Sequence, residues 1–375
     1  MPERQHPLWR TPLNTDWLLF FITFALSLGL TPLFRKIALR TQFLDSPQGQ
    51  LKKHTAPIPY LGGLAIYFAF LMGILSALIL TPPEDGPRVL ALLAGGTVMA
   101  ILGLVDDLFS LGPGIKFLFQ VLAAALLILF GVQLEFLPSH PWLGKVLTVF
   151  WVLAVTNAVN LIDIMDGLAG GVTVLACLGF ALVPALGPHS YVHLTAAALG
   201  GSVLGFLPYN YQPARIYMGD SGALFLGFVL AGLAMGHGYS QVNVEGLLAP
   251  LLILGIPLYD TALVMFLRFL KGRSMFRGSN DHLALRLRAV GMTVKQVVGT
   301  LWGLSILLGI AAWVLVHVSE KRATILLLGL FTLTLLFTVA VSVIPVDEGK
   351  QKVRENPFRL FLKPPDRSPR KSRKK

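Results

Sequence analysis

Eleven stretches of this chain stay apolar for about the length an α-helix needs to cross a hydrocarbon layer, roughly 20 residues for a core of about 30 Å. They fall near 17–34, 60–80, 89–105, 116–133, 145–161, 169–187, 192–208, 221–237, 247–267, 296–316 and 323–344. Backbone amides in lipid find no water to bond, so stretches of this kind must satisfy themselves as helices. The expected fold is an all-α polytopic membrane protein with about eleven transmembrane helices. Composition agrees: of 375 residues, 54% are hydrophobic and 13% charged, about half the charged share of a soluble domain. A soluble enzyme and a disordered chain are both excluded. Cys177 is the one cysteine, which excludes a disulfide framework and any multi-cysteine metal site. The first run follows sixteen polar-rich residues and has no small-x-small site after it, unlike a cleavable signal.

The formal charge is +12, from 31 Lys and Arg against 19 Asp and Glu. In a soluble protein that excess would point to nucleic acid. On this apolar background it sets membrane orientation instead, and no nucleic-acid partner is expected. An odd number of spans puts the termini on opposite sides. The last segment, from Pro345, carries eleven basic residues. With that tail in the cytoplasm, the inner loops are 35–59, 106–115, 162–168, 209–220 and 268–295. Counting Lys116 at the inner edge of the fourth run, Lys and Arg then divide 25 inside to 6 outside (Arg4, Arg10, Arg88, Lys145, Lys321, Arg322). The positive-inside rule therefore places the N-terminus outside and the C-terminus in the cytoplasm. Residues 1–344 read as one integral membrane domain in the inner (cytoplasmic) membrane, and 345–375 as a disordered basic tail. No internal repeat is visible.

Carboxylates near membrane depth are expensive and call for a reason. Asp106, Asp107, Asp163, Asp166, Asp220 and Asp260 all fall at or near inner helix ends on this map. Asp106 and Asp107 are adjacent, so their charges repel and burial adds to the penalty; a divalent cation, a cationic substrate group or a folded-back Lys116 would relieve it. In Asn157 to Gly171, the residues Asn157, Asn160, Asp163 and Asp166 recur every third position. At 3.6 residues per turn they cannot all share one helix face. The helix is expected to end near Asn160, turning the acids into a pocket on a glycine-rich loop. Polar glue between helices explains one or two of the Asn residues but not four polar groups. Asn210 precedes Met218-Gly219-Asp220-Ser221-Gly222, where two glycines let backbone N–H groups approach a phosphate or metal at the start of a helix. The string Gly-Asp-Ser-Gly also occurs around the nucleophile of trypsin-like proteases, whose soluble β-barrel is incompatible with this setting. The longest inner loop, Arg268 to Lys295, sets Arg268, Lys271, Arg273, Arg277, Arg286 and Arg288 around Asp281-His282. Carboxylates suited to Mg²⁺ facing cations suited to phosphate amount to the equipment of phosphoryl transfer.

Taken in order, these residues resemble the polyprenyl-phosphate N-acetylhexosamine-1-phosphate transferases, which include MraY and the WecA/TagO enzymes. The motifs are Lys53-His54 with Pro57 to Gly63, Asp106-Asp107 with Lys116, Asn157 to Asp166, Asn210-Tyr-Gln-Pro-Ala with Met218-Gly219-Asp220, and Pro257-Leu-Tyr-Asp260-Thr261. The likeness runs from about Asp45 to about Arg288, and Arg268 to Phe276 sits nearer the WecA/TagO branch. It implies transfer of a sugar-1-phosphate from a UDP-N-acetylhexosamine to a membrane polyprenyl phosphate. The products are polyprenyl-diphosphate-sugar and UMP, and Mg²⁺ is the cofactor, with Mn²⁺ as a substitute. Carried over by position, Asp220 is the metal ligand with Asn160 beside it, and Asp106, Asp107 and His282 are catalytic. Lys53, His54, Lys116, Asn157, Asp163, Asp166, Asn210 and Arg286 face the substrates. A site on the cytoplasmic face and a homodimer are further expectations.

The chain departs from the branch in its last inner loop. Where His-Leu-His-His-Arg-Leu is common, it reads His282-Leu283-Ala284-Leu285-Arg286-Leu287, and Ser279 replaces an expected Asp. Ile164 also replaces the usual glycine between the two acids. Three alternatives stay open on sequence grounds. One is the UDP-N-acetylmuramoyl-pentapeptide phosphotransferase of peptidoglycan synthesis, another a transporter or flippase, and the third an inactive relative.

Overall fold

The computed structural model describes residues 12–45, 57–80, 85–135, 140–182, 191–236, 239, 242–272 and 279–346. All eleven apolar runs are helical there. The elements are α1 (Pro12–Arg40), α2 (Gly62–Leu80), α3 (Gly86–Phe109), α4 (Pro113–Leu129), α5 (Pro141–Ile162), α6 (Leu168–Leu182) and α7 (Tyr191–Asn210). There follow α8 (Gly219–Leu233), a 3₁₀ turn (Val244–Leu248), α9 (Ala249–Ile253), α10 (Gly255–Leu270), α11 (Leu283–Ala289), α12 (Val294–His317) and α13 (Glu320–Ser342).

Seven of these helices are long and apolar enough to cross a membrane, or eight spans if one bent pair is counted. Eleven equivalent spans are thus too simple a picture. Helices α4, α6 and α8 have 17, 15 and 15 residues, or about 22–26 Å at 1.5 Å per residue. A glycine turn explains one of these early stops, Gly131 taking φ +75° just beyond α4; α8 gives way to a turn at Ala234 and Met235. Hydropathy alone does not register such a stop. The run at 247–267 is divided at Leu254, where the segment Val244–Ile253 and α10 meet at 78°. Pro257 lacks the N–H that a continuous helix would donate to the Ile253 carbonyl.

Helix α8 forms the axis of the bundle. Each of its residues except Asp220 is buried, as befits a helix that is apolar on all sides. It packs against α3, α5 and α2. Small residues allow the approach: a Cβ on Gly103 of α3 would fall onto the backbone carbonyl of Asp220. At the other extreme, α13 has only Ala323 and Val341 buried.

A short antiparallel ribbon, Leu44–Asp45 with Ile58–Pro59, supplements the helices and was not foreseen in an all-α reading. It brings the entry to α2 against the entry to α8. Tyr217 N–H donates to the Pro59 carbonyl, and Gly62 and Gly63 N–H donate to the Tyr217 and Met218 carbonyls, each at 2.9 Å.

Candidate active site

Three hairpin turns, α3–α4, α5–α6 and α7–α8, meet at one end of the bundle, and each delivers polar side chains there. Asp106 and Asp107 lie in the last turn of α3. Asp106 is buried; its Oδ1 accepts the Leu111 N–H at 2.7 Å, and its Oδ2 is ion-paired with Lys116 Nζ. The lysine does fold back. Its Nζ also stands 3.6 Å from Asp220 Oδ2, so one ammonium bridges two helices' carboxylates.

Asp107 reaches across to the start of α8, where Oδ1 accepts the Asp220 N–H at 2.9 Å and Oδ2 the Ser221 N–H at 3.1 Å. A carboxylate on the first N–H groups of a helix is favoured by the dipole as well as by the hydrogen bonds. Gly219 takes φ +70° here, and a Cβ on it would lie 2.6 Å from Asp107 Oδ2. Asp220 in turn has Oδ1 held by Asn160 Nδ2 at 2.8 Å. The site thus links α3, α4, α5 and α8 through five side chains.

Helix α5 ends at Ile162 rather than Asn160, and the two acids follow on the turn as expected. Asp163 is half-buried. Burial first, then the charges of Asp220, Asp107 and Asp166, push its carboxyl up to about 7. Asp166 is buried, and its Oδ2 accepts the Ala214 N–H at 2.9 Å. Asn210 clips the same two turns together, accepting from Gly167 N–H and donating to the Ile216 carbonyl. Asn157 faces elsewhere. Its Nδ2 donates to Gln120 Oε1 of α4 and to the Leu153 carbonyl, at 2.9 and 2.7 Å. Asn157 thus bonds between α5 and α4 rather than within the carboxylate cluster. Gln120, its buried partner, went unremarked in sequence, although an amide inside an apolar run was the available signal.

A second polar constellation joins α10 to the segment that leads into α11. His282 pairs through Nδ1 with Asp260 Oδ2 at 2.7 Å, not with its neighbour Asp281. Asp281 instead accepts from Lys271 Nζ, Ser279 Oγ and Arg286 Nη2 at 2.6–2.9 Å. Burial opposes its ionisation, but those donors outweigh it and hold the carboxyl below its usual range. Arg286 is also buried. Its Nη1 donates to the carbonyls of Val341, Ser342 and Ile344 at the end of α13, and its Nε to the Asp281 carbonyl. The guanidinium expected to hold phosphate is directed at a helix terminus. Nothing in the local sequence signals this, because the acceptors lie more than fifty residues away. Lys53 and His54 fall outside the described residues.

Among the described residues, no three His, Cys, Asp or Glu side chains form a metal cage. Mg²⁺ does not ask for one; it keeps several waters and takes one or two carboxylates together with substrate phosphates. Asp220 suits that chemistry. Its side chain is 33% exposed, the one residue of its helix not buried, and Asn160 fixes its orientation.

The sequence profile of glycosyl transferase family 4 matches residues 89–237, the span from α3 to just beyond α8 that holds the carboxylate centre. A probable undecaprenyl-phosphate N-acetylglucosaminyl 1-phosphate transferase of Bacillus subtilis (strain 168) is 31% identical over 353 residues, covering 92% of this chain and 95% of its own. The chain belongs to glycosyl transferase family 4. Other members diverge in what their names say they transfer. The undecaprenyl-phosphate alpha-N-acetylglucosaminyl 1-phosphate transferase of Escherichia coli (strain K12) is 26% identical over 76% of this chain and 78% of its own. A phospho-N-acetylmuramoyl-pentapeptide-transferase of Synechococcus elongatus is 32% identical over 76% and 82%.

Proposed function

We propose that this family 4 enzyme transfers N-acetylglucosamine-1-phosphate from its UDP carrier to a polyprenyl phosphate in the membrane, releasing UMP and starting a lipid-linked glycan of the cell wall or surface. The observation that carries the reading is the meeting of Asp106, Asp107, Asp163 and Asp220 with Lys116 at the ends of packed, apolar helices. Acids held at such cost in one cluster suit a charged reaction centre better than the dispersed path of a transporter.

An oxygen of the lipid phosphate bonds to the sugar-bearing phosphorus of the donor, and the bond from that phosphorus to the bridging oxygen breaks, leaving UMP. The lipid phosphate is largely ionised near neutral pH, its second pKa being about 6, so charge placement matters more than proton removal. Asp220, oriented by Asn160, would hold Mg²⁺, with Mn²⁺ as a substitute. Bound there, the cation neutralises charge on the phosphates and fixes their geometry. Lys116 offers a phosphate the ammonium that it now shares between Asp106 and Asp220. Asp107 keeps the α8 terminus in place, while Asp163 and Asp166 line the uridine–sugar side.

The wider frame belongs to the same proposal. Eleven membrane segments, the three short helices included, put the hairpin turns on the cytoplasmic face of the inner membrane, with residues 1–344 as one domain. The basic tail, 345–375, lies almost wholly outside the described residues. A homodimer completes the reading. Purified protein given UDP-N-acetylglucosamine, undecaprenyl phosphate and Mg²⁺ should release UMP and form the lipid-linked diphosphate sugar. Folded protein that releases none would overturn the reading. A preference for UDP-N-acetylmuramoyl-pentapeptide would transfer it to the peptidoglycan branch, to which the Synechococcus relative points.

A further inference from the structure

Asp260 is one of the deepest acids of the chain, 2% exposed, and has no part in the carboxylate centre. Both its oxygens are engaged by the returning inner loop. Oδ2 meets His282 Nδ1 at 2.7 Å, and Oδ1 accepts the Leu283 N–H at 2.6 Å. A carboxylate that accepts on both oxygens requires the facing ring nitrogen to be the donor, so the imidazole carries its proton on Nδ1.

The backbone around His282 is pinned from both sides. Arg286 Nε holds the Asp281 carbonyl and Asp260 holds the Leu283 amide. Asp281 is engaged with Lys271, Ser279 and Arg286, so it does not compete for the ring. His282 is 5% exposed, yet Nε2 has no hydrogen-bond partner among the described residues and is not among the sealed-off polar atoms. Among the described residues, one corner of the locked ring is thus left without a hydrogen-bond partner.

We infer that Asp260 is a positioning residue for the transfer reaction: it fixes His282 as the Nδ1–H form and leaves Nε2 to meet a phosphate oxygen of the sugar nucleotide. The inference rests on the proposed transferase function. Neutral, Nε2 accepts a hydrogen bond; protonated, it donates one to an anionic oxygen.

The test begins with wild-type protein labelled with ¹⁵N-histidine, the His282 signals being assigned by their loss in His282→Gln. At a pH where the ring is neutral, Nδ1 should carry the proton and Nε2 should be bare. Asp260→Asn removes one of two acceptors and should mix the tautomers. It should lower kcat by about 10–100-fold while KM for the UDP-sugar and the melting temperature change little. Asp260→Asn/His282→Gln should be no slower than His282→Gln alone, because the two residues act as one unit. An Nε2–H form in the wild type overturns the inference. So does a double variant whose loss is the product of the single losses, or full kcat in folded Asp260→Asn. Should Asp260→Asn fail to fold, the wild-type tautomer and Asp260→Glu decide. If wild-type protein releases no UMP, the transferase reading fails, while the labelling experiment still reports on the pair.

Discussion

Asp107 and Asp220, expected from the sequence as a catalytic acid and a metal ligand, sit in different surroundings in the structure. Asp107 gives both oxygens to backbone N–H groups of α8, whereas Asp220 is the partly exposed acid beside Asn160 and Lys116. Asp220→Asn should thus cut UMP release by at least about 10² with the melting temperature nearly unchanged. Asp107→Asn should lose activity and stability together, since an amide cannot accept on both sides, and a donor left buried without a partner costs about 1–3 kcal/mol. Assays paired with thermal unfolding distinguish the two. Asp163 adds a pH dependence. Its folded-state carboxyl titrates near 7 because of burial and then the charges of Asp220, Asp107 and Asp166, against about 3.9 for an unfolded chain. The folded form therefore binds the proton more tightly, and metal-free stability falls as pH rises between those values. Asp163→Asn should raise the metal-free melting temperature more at pH 8 than at pH 5, and Mg²⁺ should stabilise the wild type more at pH 8. Equal gains at both pH values would contradict the assignment.

Among the elements, the start of α8 and the end of α13 carry the clearest tests. Gly219→Ala puts a side chain at φ +70° and 2.6 Å from Asp107 Oδ2. The left-handed backbone alone costs about 1–2 kcal/mol, so the variant should melt earlier and lose activity. Gly303→Ala, with nothing within 4 Å of its added methyl, should melt no earlier than wild type. Arg286→Ala removes the donor to the last carbonyls of α13 and the partner of Asp281. It should expose the α13–tail junction to protease and lower the melting temperature. A raised KM for UDP-sugar with stability intact would return Arg286 to the phosphate-binding role expected from its motif.

On the scale of the whole molecule, the buried Cys177 leaves a quiet background for labelling. Single cysteines at the exposed Arg288 and Lys321 should react with membrane-impermeant reagents from the cytoplasmic and outer faces respectively; the reverse would invert the orientation. Sequence by itself determined the helical membrane class, the places of the eleven apolar segments and the acids that demand a use. Each of these follows from the transfer energy of single residues or short runs, which any window of the chain already contains. It did not determine the 78° break, the three short helices or the partners of Asp107, Asp260 and Arg286. Those partners stand 113, 22 and 55 residues away, and only the packing of helices decides which ends meet. The cost of a buried charge is written locally, whereas its relief is a matter of tertiary contact.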